Sequence, residues 1–409
     1  MFSRRPSGRE DFSVAVICAL NIEFEAVCFV IEEFWDENGD PFGKVAGDMN
    51  SYRTGRIGKH NVVLLLLPGM GKVHAAHAAA NLYSSFTRLR LVLLVGGCAA
   101  VPRINNAEIL LGDVIISTEV IQYDFGRQYP SGFMRKSTAR DNLGKPQKEI
   151  RNLLAALQVT EAKKRLLKRT AELLINIQTT SVKNGYGFKY HYPGVREDNL
   201  YEASYLHKHR VAGCATCNET EDAVCDSALQ ATCEDLGCER IHLVNRKRIE
   251  KKLQLCKNSD FSHQNPDIFF GAIGSGDMVM KSGEGRDALA EREKVIALEM
   301  EAAGVWDEVP SLVVKGVFDY GDSHKNKQWQ PFASATAACV ARAAVEQFAW
   351  TDRGGLQIKP HVIEENWAVW GARQYNIIKN ATQYTSAFIR GNVAAGQSEQ
   401  SNTIFFSPW

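Results

Sequence analysis

Three acidic side chains follow apolar segments in the C-terminal half of the chain, where their positions suit binding or catalysis. Glu299 and Glu301 come directly after the apolar residues 295–298. Asp319 closes the next apolar segment, Val313–Asp319. In an α/β sheet, ligands bind in the crevice beyond the carboxyl ends of the strands. The alternative is a solvated acid at a helix start, which the helix dipole favours. We prefer that alternative for Glu299 alone, whereas Glu301 and Asp319 together indicate a functional site.

The amino-acid composition of the chain limits the kinds of molecule that it is expected to bind. The 409 residues are 45% hydrophobic, and 48 basic side chains face 47 acidic ones, so there is no electrostatic case for nucleic-acid or membrane binding. No run approaches the roughly 18 apolar residues of a membrane span. The N-terminus has basic residues but no apolar segment behind them, which argues against a secretory signal. We therefore expect a cytoplasmic protein whose ten cysteines are reduced thiols or metal ligands.

Strand-like and helix-like segments alternate along the chain, which predicts an α/β fold with a mixed central sheet flanked by helices. The predicted strands are Phe12–Leu20, Tyr52–Ile57, Asn61–Leu67, Leu91–Val95, Leu111–Ile116, Ile268–Ile273, Val295–Leu298 and Leu312–Phe318. The predicted helices are Asn21–Glu33, an alanine-rich helix ending near Tyr83, the amphipathic segment Glu149–Ile177, and Phe332–Phe348.

Changes in composition divide the chain. Residues 12–350 form the predicted catalytic domain, interrupted at about 145–266 by a helical and cysteine-rich insertion. Residues 351–409 form a C-terminal extension that we expect to be partly disordered or docked. Within it, two β-prone patches in Ala387–Phe406 could pair with other copies of the chain. We prefer the alternative, in which the tail packs its aromatic residues on its own domain or on a neighbouring subunit. We find no internal repeat.

Six segments, taken in order, resemble the nucleoside phosphorylase and nucleosidase superfamily, which includes purine nucleoside phosphorylases and methylthioadenosine nucleosidases. They are Ile17–Val27, Gly69–Ala76, Val95–Val101, Leu111–Ser117, Ser275–Met280 and Val295–Asp319. The amino-acid sequences of three segments resemble those of the fungal branch of that superfamily. These segments are Tyr123–Pro130, Gly276–Gly283 and Asp319–Gln330. The resemblance implies a nucleoside phosphorylase-like fold and a homo-oligomer, because sites of this family commonly borrow residues from a neighbouring subunit.

The resemblance also implies roles for the acids. Asp319 matches the family's acid that donates a proton to N7 of the purine, so it must be at least transiently protonated. Glu301 and the neighbouring Met300 match the element that holds the ribose hydroxyls. A carboxylate there would also stabilise the positive charge that develops on the sugar.

Other matched positions surround the ribose and the base. Gly97 and Cys98 match the glycine-rich turn that passes beneath them, where small residues let the backbone approach the ligand. Val279 and Met280 match residues that flank the base and hydrogen-bond to it. For the two glycines at 96 and 97 alone, an ordinary sharp turn is the better interpretation.

The first loop distinguishes water from phosphate as the nucleophile. Phosphorylases of this superfamily bind phosphate with glycine and arginine after the first strand, whereas Ala19–Glu25 contains neither. Glu23 instead matches the glutamate with which nucleosidases activate water, and Lys315 replaces an arginine near that water. The resemblance thus predicts hydrolysis of purine nucleosides (adenosine, inosine or guanosine) to free base and ribose, with no cofactor for catalysis. A purine nucleoside phosphorylase and an inactive nucleotide sensor stay open as alternatives.

Basic residues beside the matched segments leave the 5′ side of the substrate open. Lys72, Arg127 and Lys281 could contact a 5′-phosphate, which would make the chain an ATP or AMP nucleosidase that releases adenine. A solvated basic rim explains each of these residues equally well. The predicted partner is therefore a small purine nucleoside or nucleotide.

The insertion contains a candidate metal site. Cys214 and Cys217 form a C-x₂-C pair, a recurring half-site for tetrahedral zinc, and Cys225 and Cys233 follow at looser spacing. Because a small insertion gains stability from such a site, these four residues are candidate ligands of a structural zinc ion. The alternative is free cysteines that pack as small hydrophobic side chains.

Overall fold

The computed structural model describes residues 5–138, 140–210, 214–220 and 222–349, together with six strands between residues 361 and 406. The chain divides into two compact units, Met1–Phe348 and Ala349–Trp409. Within the described ranges, no helix has both the length and the apolar character that crossing a membrane requires.

Strands of the first unit build a mixed sheet. In its described part they are β1 Val14–Cys18, β2 Glu33–Phe34, β3 Tyr52–Ile57, β4 His60–Leu66, β5 Leu91–Ala100, β6 Arg103–Ile104, β7 Ala107–Glu108, β8 Val114–Gln122, β9 Gly126–Tyr129, β10 Gly132–Arg135, β11 Ile268–Ser275, β12 Ala297–Glu299 and β13 Ser311–Asp319. The large sheet has the order β12-β11-β8-β13-β5-β1-β4-β3-β2. Because β12 also pairs with β5, the five strands from β12 to β5 close into a ring. Strands β6–β7 and β9–β10 form separate hairpins.

Helices flank this sheet. They are α1 Asn21–Cys28, α2 Lys72–Ser85, α3 Lys148–Gln158, α4 Thr160–Lys183, α5 Ala215–Glu219, α6 Cys233–Leu236, α7 Lys247–Lys257, α8 Gly283–Glu293, α9 Ala302–Val305 and α10 Gln330–Gln347, with 3₁₀ turns at Arg9–Asp11, Val195–Glu197, Arg240–His242 and Phe261–Gln264. The segment predicted as one amphipathic stretch is two helices, because Val159 is extended between α3 and α4. The prediction of a mixed α/β sheet flanked by helices is confirmed.

The strands at the centre of the sheet are buried along their whole length, as expected where helices shield both faces. Every residue of β1 and β13 is buried. Strand β5 runs farther than its apolar residues predict, since it continues past Val95 through two glycines to Ala100. There Gly96 is the register partner of Lys315, and Gly97 that of Gly316. Backbone pairing with β13 therefore extends the strand into the region that contains the acids.

The second unit consists of parallel strand pairs. Its described strands are β14 His361–Glu364, β15 Trp367–Val369, β16 Arg373–Ala381, β17 Ala387–Arg390, β18 Val393–Ala395 and β19 Glu399–Phe406. Strand β14 pairs with β17, β15 with β18 and β16 with β19. The first partners are His361 with Ala387, Trp367 with Val393 and Arg373 with Glu399, each 26 residues apart. This constant offset is an internal repeat, so the prediction of none is wrong. The predictions of disorder and of aromatic packing in the tail fall on residues and side chains outside the described part.

Helix α10 lies against β13 so closely that only glycine fits at position 316. A Cβ added there would lie 2.1 Å from the carbonyl oxygen of Ala333. We expect Gly316→Ala to lower the free energy of unfolding by about 1–3 kcal/mol, because the helix must shift. Denaturant titration measures this, with Gly144→Ala as the control, since a Cβ at Gly144 meets nothing within 4 Å. Equal stability of the two variants would contradict this packing.

Candidate active site

Four charged side chains meet at one edge of the sheet, and we call Glu23, Glu299, Glu301 and Lys315 the Lys315 cluster. Glu23 lies in the first turn of α1, just after β1, and Glu299 ends β12. Glu301 is the residue before α9, and Lys315 lies within β13. All four are at least 95% buried. The structure thus brings together three residues predicted for the site, Glu23, Glu301 and Lys315, and adds Glu299.

The Glu23 carboxylate accepts hydrogen bonds from three backbone N–H groups. One oxygen accepts hydrogen bonds from the N–H groups of Ala19 (3.0 Å) and Leu20 (2.9 Å), and the other accepts from Gly97 N–H (2.8 Å). Burial raises the pKa of Glu23 to about 6, while Lys315 opposes the shift and Glu301 adds to it. Glu23 therefore titrates near neutral pH, where a general base is most effective.

Close packing around β5 explains its two glycines. A Cβ at Gly96 would lie 2.5 Å from Glu23 Oε1, and one at Gly97 would lie 2.0 Å from the Phe318 ring. The next residue, Cys98, is buried, and burial raises the pKa of its thiol. Lys315 lowers that pKa, whereas Asp319, Glu299 and Glu23 raise it further. Cys98 thus lies within electrostatic range of both Asp319 and the Lys315 cluster.

Lys315 balances the buried acids. Its Nζ lies 2.9 Å from Glu301 Oε2 and 3.3 Å from Glu299 Oε2. Burial would lower the pKa of Lys315, but the carboxylates of Glu301, Glu299 and Glu23 together raise it. Lys315 therefore stays a cation, although it is almost fully buried.

Glu299 is the member of the Lys315 cluster that the sequence pattern placed in solvent. Its carboxylate accepts from the N–H groups of Glu301 (3.1 Å) and Ala302 (3.0 Å) at the start of α9, as a helix-start acid should. However, Glu299 is buried, and burial raises its pKa. Its contact with Lys315 shows why it can be buried, and no feature close to Glu299 in the sequence signals that contact. Met300, between the two acids, is partly buried.

Asp319 lies at the end of β13, beside the segment Tyr320–Lys325. Its Oδ1 accepts from Gly321 N–H (2.8 Å), and its Oδ2 lies 3.2 Å from Lys325 Nζ. Asp319 lines a cavity that Asp322, His324 and Lys325 also line. The Asp319 carboxylate therefore has a backbone N–H at one oxygen and the Lys325 ammonium beside the other, at the wall of this cavity.

Two further titratable groups line this cavity, and sequence analysis did not select either. Burial raises the pKa of Asp322 to about 6. Burial lowers the pKa of His324 to about 3, helped by His207 and Arg210. The His324 ring stacks on Tyr201, with 4.0 Å between ring centroids. Their only sequence signal was the segment Asp319–Gln330, which carried the resemblance.

Met280 and Val279, the residues predicted to flank the base, have different surroundings in the structure. The Met280 side chain faces Gly321, because a Cβ built there would lie 3.2 Å from Met280 Cγ. Met280 is therefore next to the Asp319 segment. Val279 is half exposed, and the backbone oxygen of Met278 accepts a hydrogen bond from Tyr123.

The basic residues predicted for a 5′-phosphate do not form a shared positive site. Lys72 Nζ lies 2.6 Å from Asp124 Oδ2 and 3.5 Å from Asp277 Oδ2, so two carboxylates already balance its charge. Arg127 lies on the exposed hairpin strand β9, and Lys281 is exposed between β11 and α8. No contact among the described residues brings the three together.

Two groups of cysteine and histidine side chains in the insertion could hold a metal ion. The first contains His209, Cys214, Cys217 and Cys225, and the second contains His207, Cys233 and Cys238. Within each group the candidate ligand atoms all lie within 4.8 Å of one another. The structure thus divides the predicted set, since Cys233 groups with His207 rather than with the other three cysteines.

In α/β proteins, the crevice beyond the carboxyl ends of the strands is the place where small ligands bind, and the buried acids of this chain lie there. Residues 13–190 match the family model described as the phosphorylase superfamily. This match confirms the resemblance to the nucleoside phosphorylase and nucleosidase superfamily that the sequence predicts.

Two curated relatives match parts of the chain. A nucleotide-binding leucine-rich repeat (NLR)-like protein of Hyaloscypha variabilis is 32% identical over 346 residues, which are 83% of this chain and 30% of that protein. An ATP nucleosidase, Cap17, of Escherichia coli is 37% identical over 78 residues, which are 17% of this chain and 15% of that protein. The chain therefore spans less than a third of the length of either relative.

Solved structures show a more distant similarity. The futalosine hydrolase of Helicobacter pylori is 15% identical, with a TM-score of 0.45 over 82% of this chain and 98% of that one. The 5′-methylthioadenosine/S-adenosylhomocysteine nucleosidase of Neisseria meningitidis, in complex with methylthio-immucillin-A, is 18% identical, with a TM-score of 0.42 over 82% and 99%. Similarity at this level does not bear on the function.

Because Lys315 balances the charge of the buried acids, replacing it should have a large effect on stability. Lys315→Met should lower the free energy of unfolding by about 3–5 kcal/mol, because it leaves buried carboxylates without their cation. Chemical denaturation measures the loss, and Lys327→Met, at an exposed lysine nearby in the sequence, is the control. A Lys315→Met protein as stable as the control would show that the acids are neutral without Lys315.

Proposed function

We propose that this chain hydrolyses the N-glycosidic bond of purine nucleosides to free base and ribose. The observation that carries the proposal is the Glu23 carboxylate, which accepts hydrogen bonds from Ala19, Leu20 and Gly97 at the end of β1. The match of residues 13–190 to the phosphorylase superfamily model supports a reaction at this bond. The substrate class is an inference from the resemblance and from the arrangement of the acids.

The position of Glu23 favours water over phosphate as the nucleophile. A phosphate ion near this loop would need backbone N–H donors, and the carboxylate already uses them. The carboxylate and phosphate are both anions, so they also repel each other. A purine nucleoside phosphorylase is therefore disfavoured. A water molecule, in contrast, can donate a hydrogen bond to the carboxylate that later takes its proton.

The proposed reaction divides the work among three acids. Glu23 takes a proton from water as the water oxygen bonds to C1′ of the ribose. The C1′–N9 bond breaks, its electron pair goes to the purine, and Asp319 supplies a proton at N7. Glu301, held 2.9 Å from Lys315, would accept hydrogen bonds from the ribose hydroxyls. Its negative charge would stabilise the cationic sugar of the transition state.

A second candidate is cleavage of a nucleotide such as ATP. The short match to an ATP nucleosidase favours it. Against it, the Lys72 charge is balanced by Asp124 and Asp277, and Arg127 is exposed. A third candidate, a sensor without catalysis, is suggested by the NLR-like relative. The hydrogen bonds and raised pKa of Glu23 favour catalysis, because a sensor has no need of a base near neutral pH.

A substrate panel tests the proposal. Purified protein is incubated with adenosine, inosine, guanosine, AMP and ATP, and the free base is measured by chromatography. We expect release of base from at least one nucleoside, at a rate above that from AMP or ATP. Release from ATP alone would replace the first candidate with the second, and binding without release from any compound would favour a sensor.

Glu23→Gln should abolish hydrolysis while substrate binding stays near normal, because the amide keeps the shape but cannot accept a proton. In the wild type, kcat/KM should fall about tenfold per pH unit below about pH 6, where the base becomes protonated. Asp322 has a similar pKa, so the matched control is Asp322→Asn, which should keep the same inflection. Loss of the inflection in Asp322→Asn, or full activity in Glu23→Gln, would place the base elsewhere.

Asp319→Asn should lower kcat by about two to four orders of magnitude, as expected for loss of a positioned proton donor. Its folding should change little, because the amide oxygen can still accept from Gly321 N–H. Steady-state kinetics with a purine nucleoside measures the effect, and Lys327→Met, at an exposed residue of the same segment, is the control. Normal turnover by Asp319→Asn would remove Asp319 from the reaction.

A further inference from the structure

The first metal-ligating group has the dimensions of a tetrahedral zinc site. His209 Nδ1 lies 3.6 Å from Cys217 Sγ and 3.4 Å from Cys225 Sγ. Zinc bonds of about 2.0–2.1 Å to nitrogen and 2.3 Å to sulfur place such atoms about 3.6 Å apart at a tetrahedral angle. Cys214, three residues before Cys217, supplies a fourth ligand atom in the same group. Three thiolates and one imidazole are a common ligand set for structural zinc.

The segment that carries these residues buries little apolar surface of its own. Among its described residues, the separate hydrophobic cluster has three buried members, Cys217, Ala228 and Leu236, with partly buried cysteines, Val224 and Ala231 around them. Below about 40 residues, a folded unit usually needs a metal or disulfides. All ten cysteines of this chain are free thiols. Metal ligation would supply the missing stability.

The same segment supports the residues next to Asp319. The backbone N–H of His207 donates to Ser323 Oγ (2.9 Å), and the His207 ring packs edge-on against His324, with 5.2 Å between centroids. His207 Nδ1 also faces Cys238 Sγ at 3.3 Å, and its Nε2 lies 3.0 Å from Ala231 O. A histidine held by a backbone carbonyl on its far nitrogen is typical of metal ligands.

We propose that the insertion binds a structural zinc ion through His209, Cys214, Cys217 and Cys225, and that this ion fixes the segment that supports Asp322–Lys325. The second group contains His207, Cys233 and Cys238, and Cys233 also lines the cavity beside Asp319. The zinc takes no part in the reaction. It differs from the set expected from sequence in having His209 in place of Cys233.

Metal analysis of the purified full chain tests this site. After dialysis against metal-free buffer, the wild type should retain at least one zinc ion per chain, and Cys225→Ser should retain one fewer. Cys256→Ser is the matched control, because Cys256 is a half-buried thiol outside both groups, and it should keep the wild-type zinc content. Wild-type protein without zinc, or Cys225→Ser with the wild-type content, would overturn the proposal.

Chelation gives a second readout that does not depend on any variant folding. A strong zinc chelator should lower the Tm of the wild type by several degrees and expose the insertion to limited proteolysis, since the bound ion stabilises only the folded state. Adding zinc back should restore both. An unchanged Tm and an unchanged cleavage pattern after the zinc has been removed would show that the ion does not hold the segment.

A different observation, the repeat in the second unit, supports an independent inference. Strands β14–β16 form one layer and β17–β19 the other, and each strand has a single partner among the described strands. Each layer therefore leaves one edge of backbone N–H and C=O groups unpaired, which is a template for another chain. The pairs are parallel and share an offset of 26 residues up to Ile378, so a further layer could add in the same register.

Some paired positions in the two layers carry identical residues, and others carry opposite charges. Six of the 18 positions from 361 to 378 are identical to those 26 residues later, among them Gln374 with Gln400 and Asn376 with Asn402. At two pairs the charges are opposite: Glu364 pairs with Arg390 and Arg373 with Glu399. If copies stack, the layers alternate, so opposite charges stay adjacent along the whole stack. Stacked amide side chains also stabilise such assemblies.

We infer that the second unit is a self-association surface whose partner is the second unit of another copy of this chain, added in parallel register. Each added copy would pair its first layer with the second layer of the copy before it. The expected product is a cross-β assembly with a spacing of about 4.7–4.8 Å between layers.

A charge swap in the full chain tests the register. Wild-type protein should form sedimentable, thioflavin-positive assemblies, and Arg390→Glu should slow their formation by about tenfold, because it places like charges opposite each other. The double variant Glu364→Arg with Arg390→Glu should return to within about threefold of the wild type. Lys164→Glu, an exposed charge reversal in α4, is the control. A wild type that stays monomeric even when seeded, or a swap that fails to restore assembly, would overturn the inference.

Discussion

The other charged residues of this site depend on one buried ammonium group, that of Lys315. Lys315 lies within ion-pair distance of Glu301 and Glu299, and its charge also acts on Glu23. Buried carboxylates are costly without a partner, so three of them can share one place only because a cation lies among them. Lys315 comes from β13, the strand that ends at Asp319. The same strand therefore sets the charge balance of the site and the position of its proposed proton donor.

The second constraint on this site is that two residues beside Glu23 must be small. Gly96 and Gly97 leave room for the Glu23 carboxylate on one side and the Phe318 ring on the other. This packing lets Glu23 reach Gly97 N–H while it also accepts from the loop after β1. A carboxylate fixed on three donors cannot swing away, so its position is set before substrate arrives. The raised pKa of Glu23 follows from the same burial that fixes it.

The sequence predicted the elements of the fold better than the partners of its acids. Glu301 and Asp319 were selected because each follows an apolar segment, and Glu23 because it matches the glutamate of nucleosidases. Glu299 was misplaced in solvent, because its partner Lys315 lies on another strand and local pattern does not show that contact. For the same reason, the Asp124 and Asp277 partners of Lys72 were not foreseen. The repeat in the second unit was missed because two thirds of its paired positions differ in residue type, and the backbone register makes it plain.

The central claim is that the Glu23 carboxylate makes water, not phosphate, the nucleophile at C1′. The direct measurement is mass analysis of the sugar product when a purine nucleoside is cleaved in ¹⁸O-water that also contains inorganic phosphate. If water is the nucleophile, the product is ribose labelled with ¹⁸O at C1, and the rate does not depend on phosphate. Unlabelled ribose 1-phosphate, formed at a rate that rises with phosphate, would contradict it.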